Sequence, residues 1–324
     1  MTDKVTRHLA RRLQDGRFAL PGHDTTKSLK DFWRWHRTGK RTPWPEWVEN
    51  KLHPAPAQRV TGDGLSVTWI GHATALIQTQ GLNILTDPFF SLRASPLRFA
   101  GPKRVRAPGI ALDELPPIDL VLLSHNHYDH MDTDALERLS HDHALTLVTP
   151  HGNARHVRGL KPGTGVLELG WHDVHEHACV KISPTPALHW SRRTLFDRNR
   201  ALWSAFYITT PVHRIYFAAD TGFGSGEHFS ITREMYGEPD LALIPIGAYE
   251  PRWFMAPQHI DPEEAVRAHK LLGARRSVAI HHSTIQLTDE AIDAPALALA
   301  EARSAHAVAE DEFRLLDVGE TLRL

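Results

Sequence analysis

From residue 65 onward the apolar residues come in short runs bounded by Gly, Pro, Asn and Asp, which is the pattern of buried strands. Ser66–Ile70, Thr74–Thr79 and Leu82–Thr86 read as a meander with tight Gly-containing turns, the third strand closed by Asp87-Pro88. Asp119–Ser124 and Leu145–Val148 continue the series. In the second half Cys179–Ile182, Leu202–Ile208, Arg214–Ala219, Leu241–Ile246 and Ser277–Ile280 have the same texture. Helical periodicity appears between them. Asp132 is a good N-cap for a helix whose apolar face is Ala135, Leu136 and Leu139. Asp261-Pro262-Glu263-Glu264 supplies an N-cap, a proline at the first helical position and a glutamate at the third; this helix runs to Leu272 and stops at Gly273. Many strands with interspersed helices predict an α/β fold of two packed sheets covered by helices.

Residues 1–60 differ: they are polar, basic and rich in tryptophan, with Trp33, Trp35, Trp44 and Trp47 set among Arg and Lys. Such a segment either packs as an arm on the main domain or faces a membrane or substrate. Packing is favoured, because the prolines in this stretch break an interfacial helix. No low-complexity linker divides the remainder, so residues 61–324 are expected to form one domain.

Composition narrows the class. The chain has 324 residues, 41% hydrophobic and 23% charged, as in an ordinary soluble enzyme. Its net charge is −1 and it carries no extended basic stripe, which argues against nucleic acid as a partner. The single cysteine, Cys179, excludes an intramolecular disulfide and a Cys-rich zinc site. Met1–Leu13 lacks the apolar core of a secretory signal, and no apolar run reaches the roughly 18 residues of a membrane span. A cytoplasmic location is expected, with any membrane contact peripheral at the inner surface.

The chemistry concentrates in His125-Asn126-His127-Tyr128-Asp129-His130, directly after a buried strand. Imidazoles with carboxylates suit zinc, and also iron or manganese. The H-x-H-x-D-H spacing suggests two ions, His125 and His127 turning to one and Asp129 and His130 to the other. The remaining ligands should also lie at strand ends, because rigid elements place ligands well. His189, Asp220 and His281 do so, and Asp220, with two oxygens, is the natural bridge. His282 neighbours His281, but adjacent extended residues face opposite ways, so only one can be a ligand; His281 is chosen.

The ordered set His125, His127, Asp129, His130, His189, Asp220 and His281 resembles that of the metallo-β-lactamase superfamily. More narrowly, the chain is similar to the N-acyl-phosphatidylethanolamine-hydrolysing phospholipase D family. The matching segments include Val67–Thr74, Thr86–Pro88, Gly101–Arg104, Glu114–Asp119, Leu123–His130, Ala219–Gly222, Ile244–Met255 and Asp261–Val266, within about residues 60–324. The resemblance implies an αββα sandwich of two mixed sheets with metals at one edge. It implies one zinc on His125, His127 and His189, a second on Asp129, His130 and His281, and Asp220 bridging. It also points to Tyr128, Gln258 and His259 around the substrate phosphate, and to His72 and Asp87 as residues that orient the ligands; because the leaving alkoxide needs a proton or a metal, His259 is a candidate acid. The family's Trp-Gly after the last ligand histidine is His282-Ser283 here, and the N-terminal 60 residues match poorly.

The function implied is that of a phospholipase D-type phosphodiesterase acting on N-acyl-phosphatidylethanolamine or a related phospholipid. Hydroxide generated between the metals would attack phosphorus in line. Arg93, Lys103 and Arg104, or Arg192 and Arg193, could attract a phosphate, although bare charge clusters are usually solvated faces. The alternative is a soluble hydrolase of the same superfamily acting on a lactone or a small or cyclic phosphodiester, because one site polarises carbonyl and phosphoryl groups alike. A non-catalytic binding protein is expected to have lost ligands, and all seven are present. A monomer and a dimer are both compatible with the sequence.

Overall fold

A computed structural model describes residues 10–324. Two short strands, β1 (Arg11–Arg12) and β2 (Phe18–Ala19), form a hairpin, followed by helix α1 (Leu29–Thr38). The first large sheet takes β3 (Leu65–Gly71), β4 (Thr74–Thr79), β5 (Leu82–Thr86), β6 (Leu120–Leu122), β7 (Thr146–Pro150) and β8 (Gly165–Leu169). The second takes β9 (His175–His177), β10 (Val180–Thr185), β11 (Ala205–Thr209), β12 (Arg214–Phe217), β13 (Leu241–Pro245), β14 (Arg276–Ile280) and β15 (Phe313–Arg314). The last strand, β16 (Thr321–Arg323), returns to pair with β3 and completes the first sheet.

Alternation of side chains along the strands builds the layers. Val67, Trp69, Ile77, Ile84, Leu120 and Leu122 point into one core with Phe206, Ile208, Ile215, Phe217, Leu243 and Ile280 of the other sheet. Their neighbours Ile70, Leu76, Leu85, Val121, Leu123 and Leu147 point outward onto helix α2 (Thr133–Asp142), which is capped by Asp132. On the opposite side Tyr216, Ala242 and Ile244 meet helices α3 (Glu227–Tyr236), α5 (Pro262–Leu272) and α6 (Ala294–Ala305); a single turn, α4 (Arg252–Met255), precedes α5. The result is the αββα sandwich of two mixed sheets.

In each sheet four neighbouring strands are parallel: β5, β6, β7 and β8, then β12, β13, β14 and β15. Parallel strands end together, so the segments after β5, β6, β12 and β14 meet at one edge.

The arm departs from its sequence reading in one respect. The prolines do not prevent a helix there. Ser28 and Asp31 form a capping box for α1, which ends at Gly39, ahead of Pro43 and Pro45. The helix packs through Trp35, whose ring lies 4.9 Å from that of Phe254 and whose Nε1 donates to Asp289 at 3.0 Å. Trp44 Nε1 donates to the Glu290 carbonyl at 2.8 Å. Residues 1–9, the beginning of the arm, lie outside the described residues.

The inter-sheet core is the main mechanical support of this edge. Phe217→Ala, which empties a fully buried site two residues before the Ala219-Asp220 turn, is expected to destabilise the fold by about 3–5 kcal/mol. Urea unfolding monitored by circular dichroism measures this; a loss below about 1 kcal/mol would place the ring outside a tightly packed core.

Candidate metal centre

His125 follows β6 after Leu123 and Ser124, and the next five residues form a tight turn in which the amides of His130 and Met131 both donate to the His127 carbonyl. His127, Asp129 and His130 are thereby folded back over the sheet edge. Asp220 stands three residues past β12, and the Asp220-Thr221-Gly222 turn knits the neighbouring segments to it. Thr221 Oγ1 accepts from the Leu188 amide at 2.9 Å, and the Thr221 carbonyl accepts from the Ile260 amide at 2.9 Å. Gly222 is required by close approach: a Cβ there would sit 2.5 Å from the Pro257 carbonyl oxygen. These contacts draw His189, Gln258 and His259 to the edge, and His281 comes from the end of β14.

All seven residues singled out as metal ligands converge. His125 Nε2, His127 Nδ1, His189 Nε2 and Asp220 form one group of donors, the first two 2.9 Å apart and His189 Nε2 3.2 Å from His127 Nδ1. Asp129, His130 and His281 form a second group together with His72. Asp220 stands between the groups: its Oδ2 lies 3.7 Å from His189 Nε2 and 3.2 Å from His130 Nε2, and its Oδ1 lies 3.1 Å from His281 Nε2.

The donors suit a cation. His130 Nε2, His281 Nε2 and Asp220 Oδ1 are buried and make no hydrogen bond, although they crowd together. Buried polar atoms left in that state are costly unless something unseen satisfies them. Burial first, then the neighbouring imidazoles, hold His125 well below its ordinary pKa. Burial takes His189 down to about 3 and His127 to about 4. Neutral imidazoles are the form that ligates metal. Burial opposes ionisation of Asp129 and Asp220, but His130 and its companions outweigh it and keep both carboxylates well below the usual range. At His281 burial also works against the charged form, yet Asp220 and Asp129 raise it to about 9. Nitrogen and carboxylate donors without sulfur fit zinc, manganese or iron.

Asp87 and His72 support these donors from behind. Asp87 Oδ2 accepts from His130 Nδ1 at 2.7 Å and from Ser124 Oγ at 2.5 Å, while Asp87 Oδ1 accepts from the Ser124 amide at 2.7 Å. Ser124 Oγ in turn accepts from His125 Nδ1 at 2.8 Å. One carboxylate thus holds Nδ1 of two imidazoles, His130 directly and His125 through Ser124, and leaves both Nε2 atoms toward the edge. His72 Nε2 donates to Asp129 Oδ2 at 2.9 Å, so it both orients that carboxylate and belongs to the donor cluster.

The other named residues lie around this core. His259 Nδ1 is 3.9 Å from Asp220 Oδ2 and has no hydrogen-bond partner; burial lowers its pKa to about 3. Gln258 acts through its backbone, its carbonyl accepting from His189 Nδ1 at 3.0 Å, and its Oε1 is buried without a partner. Tyr128 donates its hydroxyl to the Arg193 carbonyl at 2.8 Å, beneath the Arg193 guanidinium at 4.2 Å. His282 points away and stacks on Trp69 at 4.4 Å. Sequence reasoning passed over Ser124 and Trp190, whose ring packs 4.4 Å from His127. Ser124 could have been found, since a hydroxyl immediately before a ligand motif is placed to orient it.

Asp87→Asn puts an amide N–H against His130 Nδ1 or Ser124 Oγ and favours the wrong imidazole tautomer. Metal affinity is expected to fall about 10–100-fold, the usual weight of such supporting bonds, with folding retained. Chelator competition on the purified variant checks this, and unaltered affinity would remove Asp87 from its supporting role.

Comparisons with known proteins bear on what such an edge belongs to. A beta-lactamase superfamily domain model matches residues 82–282. The chain is 40% identical over 282 residues to N-acyl-phosphatidylethanolamine-hydrolyzing phospholipase D 1 of Caenorhabditis elegans, covering 82% of this chain and 79% of that protein. It is 37% identical over 254 residues to the mitochondrial N-acyl-phosphatidylethanolamine-hydrolyzing phospholipase D of Saccharomyces cerevisiae, covering 75% of this chain and 53% of that one. The chain thus spans about half the length of the yeast relative. Among solved structures, isothiocyanate hydrolase from Delia radicum gut bacteria shares the fold, with a TM-score of 0.63 at 22% identity over 79% of this chain and 98% of that one. The chain belongs to the metallo-β-lactamase superfamily of metal-dependent hydrolases, and within it to the family of its N-acyl-phosphatidylethanolamine-hydrolysing phospholipase D relatives.

Proposed function

We propose that the chain is a dinuclear, zinc-dependent phosphodiesterase of the phospholipase D type, acting on N-acyl-phosphatidylethanolamine or a related phospholipid. The observation that carries this reading is the position of Asp220 between two groups of inward-facing donors. One group is His125, His127 and His189; the other is Asp129, His130 and His281. Similarity to relatives whose names carry that activity supports the choice of substrate.

Bound ions at such a site polarise a phosphoryl oxygen and acidify water. The residues do the rest. Asp87, Ser124 and His72 hold the donors in place, so little reorganisation accompanies the reaction. His259 enters as a neutral imidazole with Nδ1 facing the edge. It takes up a proton from solvent and gives it to the leaving alkoxide as the P–O bond breaks, while the proton lost by the attacking water goes to solvent. The products are a phosphomonoester and an alcohol. The Gln258 side chain and the Tyr128–Arg193 pair line the approach for the phosphate and its substituents.

A cavity of about 540 Å³ opens beside Tyr128, walled by Leu92, Pro96 and Met131 and by Arg93, Arg98 and Arg193. Exposed Phe99, Leu195 and Phe196 lie on the two loops that border it, and Leu29, Phe32 and Trp33 are exposed on α1. Apolar tips beside arginines suit peripheral contact with a phospholipid surface. Among the described residues, no helix is long and apolar enough to cross a membrane. The arginines in the cavity also favour a second reading, a hydrolase of a small soluble phosphodiester; parallel assays of lipid diester, soluble diester and lactone separate the two.

Asp220→Ala is expected to lose both metal and hydrolysis of every one of these substrates. Normal turnover with a full metal complement would overturn the bridging role. His259→Ala should keep its metal but lose about 10²–10⁴-fold in kcat for an alkyl leaving group, and much less for an acidic phenol. Equal kcat for alkyl leaving groups in both proteins would end the assignment.

A further inference from the structure

A second cavity, of about 690 Å³, lies between the N-terminal arm and the loop that leads back from β5. Its lining includes Arg41 from the arm and Arg93, Lys103 and Arg104 from the loop, with Glu46 as its sole carboxylate. Trp44 and Val105 give it an apolar wall. Among the described residues none of the four cations is in an ion pair with a carboxylate. Such a concentration of like charge is unfavourable unless something offsets it.

The cavity differs from a solvated basic face in how its cations are held. Arg104 is only 3% exposed. Its guanidinium lies over the Phe89 ring at 4.9 Å and its Nη2 donates to the Phe89 carbonyl at 2.7 Å. Its Nε and Nη1 are buried and donate to nothing. Two N–H groups of a buried guanidinium rarely stay unused. Arg41 and Arg93 are anchored too, each by one bond to a carbonyl: Nη2 to Gln286 at 2.8 Å, and Nη1 to Gly101 at 2.6 Å. Anchoring at one nitrogen fixes each fork and leaves other donors for a ligand, which is the preorganisation that phosphate recognition by arginine uses.

We propose that this cavity binds a phosphomonoester, with Arg41, Arg93, Lys103 and Arg104 as its cations. A phosphomonoester carries about −1.5 to −2 charges near neutral pH and three acceptor oxygens. It therefore offsets more of the excess positive charge than a carboxylate or a diester does. Because the arm supplies one wall and the loop the other, the ligand clamps the arm down. Arg93 lines this cavity and the one beside Tyr128, so the two sites share a wall. The site stands whatever the metal centre hydrolyses. The ligand comes either from solution or from the headgroup of a phosphatidate in a bilayer.

The test uses the full-length, metal-loaded protein and an Arg41→Ala/Lys103→Ala variant, both positions being exposed. One arm titrates inorganic phosphate by calorimetry at fixed ionic strength; sites unaffected by the substitutions belong to the metal centre. The other arm floats the proteins on phosphatidylcholine vesicles containing phosphatidate or, as the diester control, phosphatidylglycerol. The variant is expected to lose at least about tenfold in affinity for one phosphomonoester probe, the weight of one or two charge-assisted hydrogen bonds. A loss in the first arm identifies a soluble ligand, and a loss for phosphatidate alone in the second identifies the lipid. Unchanged binding of both probes overturns the proposal, as does an equal loss for phosphatidylglycerol, which would mean unspecific attraction. Arg104→Lys, with its fold checked by thermal unfolding, should also weaken phosphate binding, because it keeps the charge and removes the planar fork.

Discussion

The metal edge rests on one buried carboxylate. Asp87 is fully inaccessible, and a buried carboxyl group is tolerated only if hydrogen bonds replace its water. Two bonds come from Ser124 and one from His130, and Ser124 passes the constraint on to His125. The carboxylate can sit there because β4, β5 and β6 are neighbours. Its own amide donates to the Leu122 carbonyl of β6, and its carbonyl accepts from Thr74 Oγ1 of β4. Sheet pairing thus determines where Asp87 is, Asp87 determines which nitrogen of two histidines faces inward, and those nitrogens decide whether a cation can enter.

The same edge stores backbone strain. His72, Asp87, Ala219 and His281 all have positive φ, between 30° and 60°, although none is glycine. Each such residue costs on the order of 1–3 kcal/mol, and all four lie just past strand ends at the donor cluster or hold a residue that does. The inter-sheet core supplies the compensation, since Phe206, Phe217, Ile280 and their partners lock the strands that deliver these turns. The positive φ at His281 also explains why His281 and His282 diverge. The chain turns out of the strand at His281, so one ring joins the donors while the next lies flat on Trp69.

The ten inner strands of the two sheets and the two strongly capped helices were legible because each carries a local signal, an apolar run or an N-cap with its partner three residues on; the four edge strands β8, β9, β15 and β16 and helices α3 and α6 lack so clear a signal and were not read. The boundaries slipped where tertiary pairing takes over. β12 stops at Phe217, although the apolar run continues to Ala219, because the chain must turn to deliver Asp220. Helix α1 was missed for a different reason. Its tryptophans lie in a stretch with prolines, but the prolines begin only after Gly39, and the Ser28–Asp31 box was the local signal to follow. The sites of His189, Asp220 and His281 could be read as strand ends, whereas their convergence could not, since it depends on two separate runs of parallel strands meeting at one edge. The roles of the Gln258 carbonyl and of the Tyr128–Arg193 pair are backbone and packing facts with no sequence signature.

What distinguishes substrates lies around the metal edge. Arginine and apolar groups alternate along the rim: Arg98 precedes Phe99, Arg192 and Arg193 precede Leu195 and Phe196, and on α1 Arg34 stacks on Trp253 beside exposed Trp33. A small soluble diester has no use for apolar tips held out into water, where their exposure is unfavourable. An amphiphile of the kind proposed would use both kinds of group, its phosphate meeting the arginines and its chains the apolar tips. The arm participates in this rim through a defined route: Trp35 packs on Phe254, Phe254 belongs to the turn before Gln258 and His259, and the Gln258 carbonyl holds His189. Anything that seats or lifts the arm therefore acts on a residue that orients a donor, which gives the N-terminal segment a physical path to the metal edge.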